Sequence, residues 1–460
     1  MNNIEKLMNT VIENDYCIGC GACASLEGSP FEIKFNENGE YKAFLKDADT
    51  NNIEINNINE VCPFSNDSKN ETEIGENLFK DFGASFNKYT GYYLNNYAGY
   101  VTESSYRDNG SSGGMGSWIA VQLLEQDLVD SIIHVRESSE ESDALFEYQV
   151  STNKKDFLSG TKSKYYPIEL SQVMSYVKNN DGRYAIIGIP CFIKSVRLLS
   201  DTNSLIKQRI KYCIGLVCGH LKSDFFAKAQ GWQIGIHPND LTSIDFRVKL
   251  DGRNANDYGV EAKGIVNNEE LSLTKARQDL YTTNWGQGHF KYNACEFCDD
   301  VLSETADVTV GDAWLPEYKH DSNGTNIVVV RNPDIEDIIE QGIVNQKLQL
   351  DRLTADKIYE SQAGGFRQRR DGLAYRLYLK DQKGEWRPNK RVESSNNLNK
   401  NRKKVYAKRM ELSQESFEAF KYAKAKGSFD FYIKRMEKPI KEYNNIINPS
   451  FIRKIINRLF

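Results

Sequence analysis

Three cysteines two residues apart, Cys17-Ile-Gly-Cys20-Gly-Ala-Cys23, and a distant Cys62 followed by Pro63 constrain this chain more than any other feature. A C-x2-C-x2-C run presents three thiols from one short loop, and a Cys before Pro supplies a fourth from elsewhere, the arrangement of iron-sulfur ferredoxins. Gly19 and Gly21 suit a loop whose N–H groups must turn toward sulfur. In a two-cluster ferredoxin the run continues through three residues to another Cys, and here that position is Glu27. Cys62 still completes one cluster, so a single 4Fe-4S cluster is expected in this module. A structural zinc site is the competing reading, although such sites usually pair two separate knuckles.

Nine cysteines in a 460-residue chain, whose start from Met1 to Asp15 carries no apolar signal core, favour metal ligation or catalysis over disulfides. No run approaches the roughly 20 apolar residues of a membrane span, and cytoplasmic residence is expected. Cys295-Glu-Phe-Cys298 is a second knuckle that needs two more ligands. Cys191 ends the strand-like AIIGIPC and Cys218 ends CIGLVCG. Ligands gather outside the carboxyl ends of strands in open α/β sheets, so these thiols could meet the knuckle there. Cys213, five residues before Cys218, would face the other way and is the spare. Packing plus a zinc knuckle stays open as the alternative for this set.

The organisation reads as three parts. Residues 1–75 form a cysteine-punctuated module that ends in Asn-rich and acidic stretches, Asn51 to Glu60 and Asn66 to Glu73, expected as a solvated linker. Residues 76–350 alternate helical patterns (GSWIAVQLLEQ, FIKSVRLLS) with strand-like runs (SIIHV, YAIIGIP, KYCIGLV, ADVTVGD, NIVVVRN), predicting an α/β core with mostly parallel sheet. Residues 351–460 are basic and helix-compatible, with 27 Lys and Arg against 13 Asp and Glu, whereas residues 1–350 hold 32 against 51. The closing NPSFIRKIINRLF places Phe451, Ile452, Ile455 and Leu459 at helical spacing among Arg453, Lys454 and Arg458. Docking of this basic region on the acidic body is favoured over peripheral contact with an anionic membrane, and no nucleic acid is expected.

SSGGMGS, from Ser111 to Ser117, precedes the apolar helix pattern Trp118 to Leu124. A helix N-terminus favours an anion, and glycines let a pyrophosphate approach the backbone; a flexible loop with a Ser cap is the alternative. Lys162 and Lys164 in TKSKYYP could add cations to a bound phosphate, or could be surface lysines. Asp312, at the end of ADVTVGD, is a candidate cofactor contact. The five histidines show no metal-ligand spacing, and His220 is placed near the second cysteine set as a structural hydrogen-bond partner.

Gly113-Gly114, Lys162-Ser163-Lys164-Tyr165, Gly188-Ile-Pro-Cys191, Gly215-Leu-Val-Cys218-Gly, Asp251-Gly252-Arg253 and the segment from Cys295 to Trp314 follow one another in order. Together they resemble the family of coenzyme F420 hydrogenase/dehydrogenase beta subunits, over about residues 15 to 330. One departure is Ile189, where the family motif commonly has Thr. The resemblance implies an α+β ferredoxin-like module and an α/β mixed-sheet flavin-binding core, while the tail after about 350, outside the matched part, is expected to form a mainly helical C-terminal region. It implies FAD, with contacts among Ser112, Gly113, Gly114, Lys162, Ser163, Lys164, Tyr165 and Asp312. It also implies a second 4Fe-4S cluster on Cys191, Cys218, Cys295 and Cys298, beside the first on Cys17, Cys20, Cys23 and Cys62. The implied activity is electron transfer between a small-molecule hydride donor or acceptor, coenzyme F420 or another organic substrate, and the clusters or a ferredoxin partner. A non-catalytic electron-transfer subunit of a larger redox complex is the alternative.

Overall fold

The β-branched runs in the middle of the chain pair into one eight-stranded sheet in the order 348–352, 95–101, 326–330, 308–312, 210–216, 184–188, 131–137, 146–151. The structure is a computed structural model that describes residues 2–46, 55–139, 142–250, 252, 253 and 256–448. Strands 131–137, 184–188, 210–216 and 308–312 run parallel at the centre. The four flanking pairings are antiparallel. The expected mostly parallel sheet is therefore mixed. Helices Ser171–Asn179 and Pro190–Thr202 lie in the connections that return the chain for parallel pairing, whereas 131–137 with 146–151 and 308–312 with 326–330 are sequence neighbours that fold back directly.

Alternation along each strand divides the sheet into two buried faces. Val328 and Val330 join Trp118, Ile119, Ile335 and Ile339 from helices Met115–Glu125 and Pro333–Val344. Ile327 and Val329 face Ile358 and Phe366 on the other side. A separate antiparallel sheet of strands 241–248, 259–266 and 269–276 was not foreseen from the sequence pattern.

The N-terminal segment contributes a hairpin of strands 31–35 and 41–45. Its Ile4, Val11, Tyr16, Phe31, Val61 and Phe64 share one hydrophobic core with Phe192 and Val196 of helix 190–202 and with the C-terminal helices. The run Asn66 to Glu73 is not a solvated linker. The Asn70 side chain caps helix Glu71–Phe79, which crosses the expected boundary at 75, and Glu71 is buried against Lys194 at 3.1 Å and Arg391 at 3.3 Å. Capping and solvated polar residues look alike in sequence, which explains the difference. Of the stretch Asn51 to Glu60, residues 51–54 lie outside the described residues.

The C-terminal region is helical over Ala355–Ser361, Ala363–Arg369, Asp371–Lys383, Lys400–Lys426 and Asp430–Ile447. Phe417 and Phe420 pack on Phe225 and Phe290, and His289 Nδ1 lies 2.6 Å from the Tyr432 hydroxyl. The described part of the tail is thus docked on the body. Phe451, Ile452, Arg453, Lys454, Ile455, Arg458 and Leu459 lie outside the described residues. Among those described, no helix is long and apolar enough to cross a membrane.

Candidate functional site

Strands 184–188, 210–216 and 308–312 end side by side, and their carboxyl ends open onto a cavity of about 290 Å³. Gly188, Val217, Cys218, Gly311 and Asp312 form its floor. Ser112, Gly114, Lys162, Ser163, Lys164 and Tyr165 line its walls, so the structure brings together two segments that are 50 residues apart in sequence. Gly113 lies behind the wall: a Cβ there would meet the Gly99 carbonyl oxygen at 2.8 Å, so only glycine lets the loop lie this close to the sheet. The start of helix Met115–Glu125 is held by Asn326, whose Oδ1 accepts from the Met115 N–H at 3.1 Å, rather than by a serine cap. Ser163 N–H donates to Ser111 Oγ at 2.9 Å and fastens the two loops.

The cavity carries more positive charge than the lysine motif announced. Arg247, from the small sheet, donates to Asp312 Oδ2 at 3.2 Å and to the Ser111 carbonyl at 2.8 Å. Lys162 pairs with Asp245 at 2.6 Å, leaving Lys164, whose pKa burial lowers, without a bonded carboxylate among the described residues. His220 and Trp285 pack with ring centroids 4.5 Å apart and planes tilted by 60° on another wall. Burial holds His220 well below its ordinary pKa, and its Nε2 has no hydrogen-bond partner among the described residues, so a neutral imidazole nitrogen is free to bond a ligand. Arg247, Trp285 and Asn326 escaped the sequence reading. Arg247 stands two residues after Asp245 in an alternating strand, but nothing local distinguishes it from a surface arginine. Of the nearby Asp251-Gly252-Arg253, Arg253 pairs with Asp257 at 3.1 Å, and Asp251 lies outside the described residues.

Cys17, Cys20, Cys23 and Cys62 line one small cavity whose other walls include Leu7, Val11, Ile33, Ala43 and Phe64. Gly19, at φ +64°, turns its N–H to Cys17 Sγ at 3.4 Å, and the Ala43 N–H reaches the same sulfur at 3.4 Å. A Cβ on Gly19 would lie 2.2 Å from the Tyr41 carbonyl oxygen. Burial pushes the Cys20 thiol up to about 11 and Cys62 up to about 12. Buried thiols of this kind become thiolates when a metal takes the place of the proton.

Cys191, Cys218, Cys295 and Cys298 are also mutual neighbours, and each of the other three thiols adds to the effect of burial in raising the pKa of Cys191. Cys191 is not strand-terminal as expected: strand 184–188 ends at Gly188, and Cys191 occupies the first turn of helix 190–202. Cys218 follows strand 210–216, and the Leu221 N–H donates to Cys295 Sγ at 3.2 Å. Cys213 is buried within that strand, its N–H donating to Asp307 Oδ2 at 2.6 Å, apart from this set. Among the described residues no group of three or more His, Cys, Asp or Glu is drawn in around a single metal-ion position. The all-thiol donor sets and the N–H groups aimed at sulfur fit iron-sulfur clusters. The two sets adjoin through helix 190–202, where Ser195 donates to the Cys191 carbonyl at 2.8 Å and lies beside the Cys20 thiol.

A charged cavity at the ends of parallel strands, with two adjoining sets of four cysteines beside it, defines an α/β protein with clustered thiols. Residues 96–175 match the N-terminal part of the coenzyme F420 hydrogenase/dehydrogenase beta subunit, and residues 181–356 match its C-terminal part. The chain belongs to that family. It is 23% identical over 346 residues to a component of the F(420)H(2) dehydrogenase of Methanosarcina mazei, spanning 70% of this chain and 80% of the relative. An uncharacterized protein of Methanocaldococcus jannaschii is 22% identical over 255 residues, spanning 54% of this chain and 85% of that one. A chain of the F420-reducing NiFe hydrogenase complex from Methanosarcina barkeri superposes with a TM-score of 0.47 at 14% identity, covering 64% of this chain and 96% of that one.

Proposed function

We propose that the chain is an iron-sulfur flavoprotein oxidoreductase that moves electrons between a small hydride donor or acceptor and two 4Fe-4S clusters. The observation that carries this is the adjacency of three sites. The cavity shares Cys218 with the second cysteine set, and that set adjoins the first across one turn of helix 190–202. When bound, FAD would supply two-electron hydride exchange with the substrate and one-electron exchange with the clusters.

The chain's own residues orient and shield. The start of helix Met115–Glu125, with Arg247 and Lys164, suits the pyrophosphate, because unpaired N–H groups and buried cations offset its charge. Trp285 and the neutral His220 would pack on the ring system, with His220 Nε2 free to bond its edge. Cys17, Cys20, Cys23 and Cys62 would hold one cluster, and Cys191, Cys218, Cys295 and Cys298 the other. Ser195, about one helical turn after Cys191, lies between the two sets. Coenzyme F420 is one substrate class that the relatives' names suggest, and a small organic acceptor supplied by reduced ferredoxin is another. The relative named as part of a dehydrogenase also supports action inside a larger redox complex.

Anaerobically purified protein should contain about eight iron atoms and about eight sulfides per chain. It should also release FAD on denaturation and bleach with a hydride donor or with reduced ferredoxin. A colourless preparation that binds neither flavin nor iron on reconstitution would overturn the reading.

A further inference from the structure

Beyond residue 356 the basic C-terminal region lies outside both family matches, yet one of its arginines reaches the middle of the molecule. Arg369 closes helix Ala363–Arg369 and is only 2% exposed. Its guanidinium donates to the Cys218 carbonyl at 2.6 Å and to the Gly219 carbonyl at 2.9 Å, and lies against the side chains of Cys218 and Cys298. The neighbouring charges are already spoken for. Lys291 and Arg376 both pair with Glu296, which also accepts from Gln368 at 2.9 Å. Arg369 has no carboxylate partner among the described residues, and its Nε is buried without a hydrogen bond. A buried guanidinium is costly to desolvate unless an anion compensates it. The groups within its reach that become anionic once a metal displaces their protons are the sulfurs of the second cysteine set.

We infer that Arg369 is a positioning and potential-setting residue for the cluster held by Cys191, Cys218, Cys295 and Cys298, so that the C-terminal helices are an integral part of the redox centre. The inference rests on the cluster assignment proposed above and adds to it a specific electrostatic partner. Reduction adds one electron, and one negative charge, to a cluster already carrying four thiolates, with no bond broken. A fixed cation beside two of those sulfurs stabilises the reduced form and raises the reduction potential. The same two carbonyl bonds fix the backbone that presents Cys218, so the charge and the ligand are held by one side chain.

The test uses full-length protein purified anaerobically, with iron and sulfide counted and both clusters followed by EPR during a redox titration. Arg369→Gln should keep the iron of the wild type, move the potential of the second cluster to more negative values and leave that of the Cys17 cluster unmoved. Arg369→Lys, which retains the charge, should recover part of the shift. If Arg369→Gln sheds the second cluster while Arg369→Lys keeps it, the charge requirement stands. Loss of the cluster in both variants reduces Arg369 to a packing residue, and unmoved potentials with full iron remove the electrostatic role; either result overturns the inference. Iron near four atoms per chain in the wild type would instead overturn the second-cluster assignment itself, and the role of Arg369 with it.

Discussion

The two cysteine sets differ in how they are assembled. In the first, three thiols come from a seven-residue loop, the surrounding walls are aliphatic and aromatic, and the N–H groups aimed at sulfur are local or from the adjacent hairpin. The nearby Lys42, which bonds the Cys17 carbonyl, is itself paired with Asp15 and Glu40. The second set draws on a helix start, a strand end and a distant knuckle, and it is roofed by Arg369 from the tail. Local assembly needs little beyond the loop's own conformation. Distributed assembly needs the whole fold, and it allows a buried charge to be placed against sulfur. With clusters bound as proposed, the second set should hold the more readily reduced of the two.

Removing residues 351–460 is the strongest way to break this comparison. It strips Arg369 from the second set and exposes Phe225 and Phe290, which now lie under Phe417 and Phe420. Losing contacts of this kind costs about 3–5 kcal/mol per large aromatic, so the truncated chain should aggregate or melt far below the intact protein. A truncated chain that keeps its melting temperature but no longer sediments with anionic vesicles bound by the full chain would mean that the tail serves a membrane surface instead.

Single ligand substitutions sharpen the comparison. Cys62→Ala and Cys295→Ala should each remove about half of the iron, and each should leave the EPR signal of the other set in place. If either variant loses both signals, the sets are not independent centres. Arg247→Ala acts on the cavity alone. Loss of a buried charge-assisted bond of about 1.5–3 kcal/mol predicts FAD binding at least tenfold weaker by fluorescence titration, with iron unchanged.

An effect confined to stability concerns Glu71, which ties the helix after Cys62 to the body through Lys194 and Arg391. Burial opposes its ionisation, but Lys194 and Arg391 outweigh burial and hold its carboxyl below the ordinary range. A depressed folded-state pKa gives stability that is present above the unfolded value near 4.3 and is lost as pH falls through the folded value. Wild-type stability should therefore drop on acidification below about pH 4, and Glu71→Gln should lack that component of the drop. At neutral pH, Glu71→Ala leaves buried Lys194 short of a partner and should cost about 3 kcal/mol, read by denaturant unfolding with iron content unchanged.

The sequence carried the strand runs, the glycine-rich helix start and the cysteine spacings plainly, because each depends on neighbours a few residues away. SIIHV, KYCIGL and NIVVV all lie within strands of the one sheet, and the segments holding Ser112 and Lys162 line one cavity. It misread Asn66 to Glu73, because a capping box and a solvated tract share the same residue types.

By itself, then, the sequence determined which residues can bind metal and which segments can form strands, through local spacing and periodicity. Only the tertiary structure decided that Arg247 from a separate sheet faces Asp312, that Ser195 joins the two thiol sets, and that Arg369 from the basic tail lies against Cys218. The physical reason is that an arginine or serine looks the same on a solvated surface as in a buried site. What distinguishes them is the loss of water and the presence of an oppositely charged or hydrogen-bonding partner, and folding alone brings such partners across hundreds of residues.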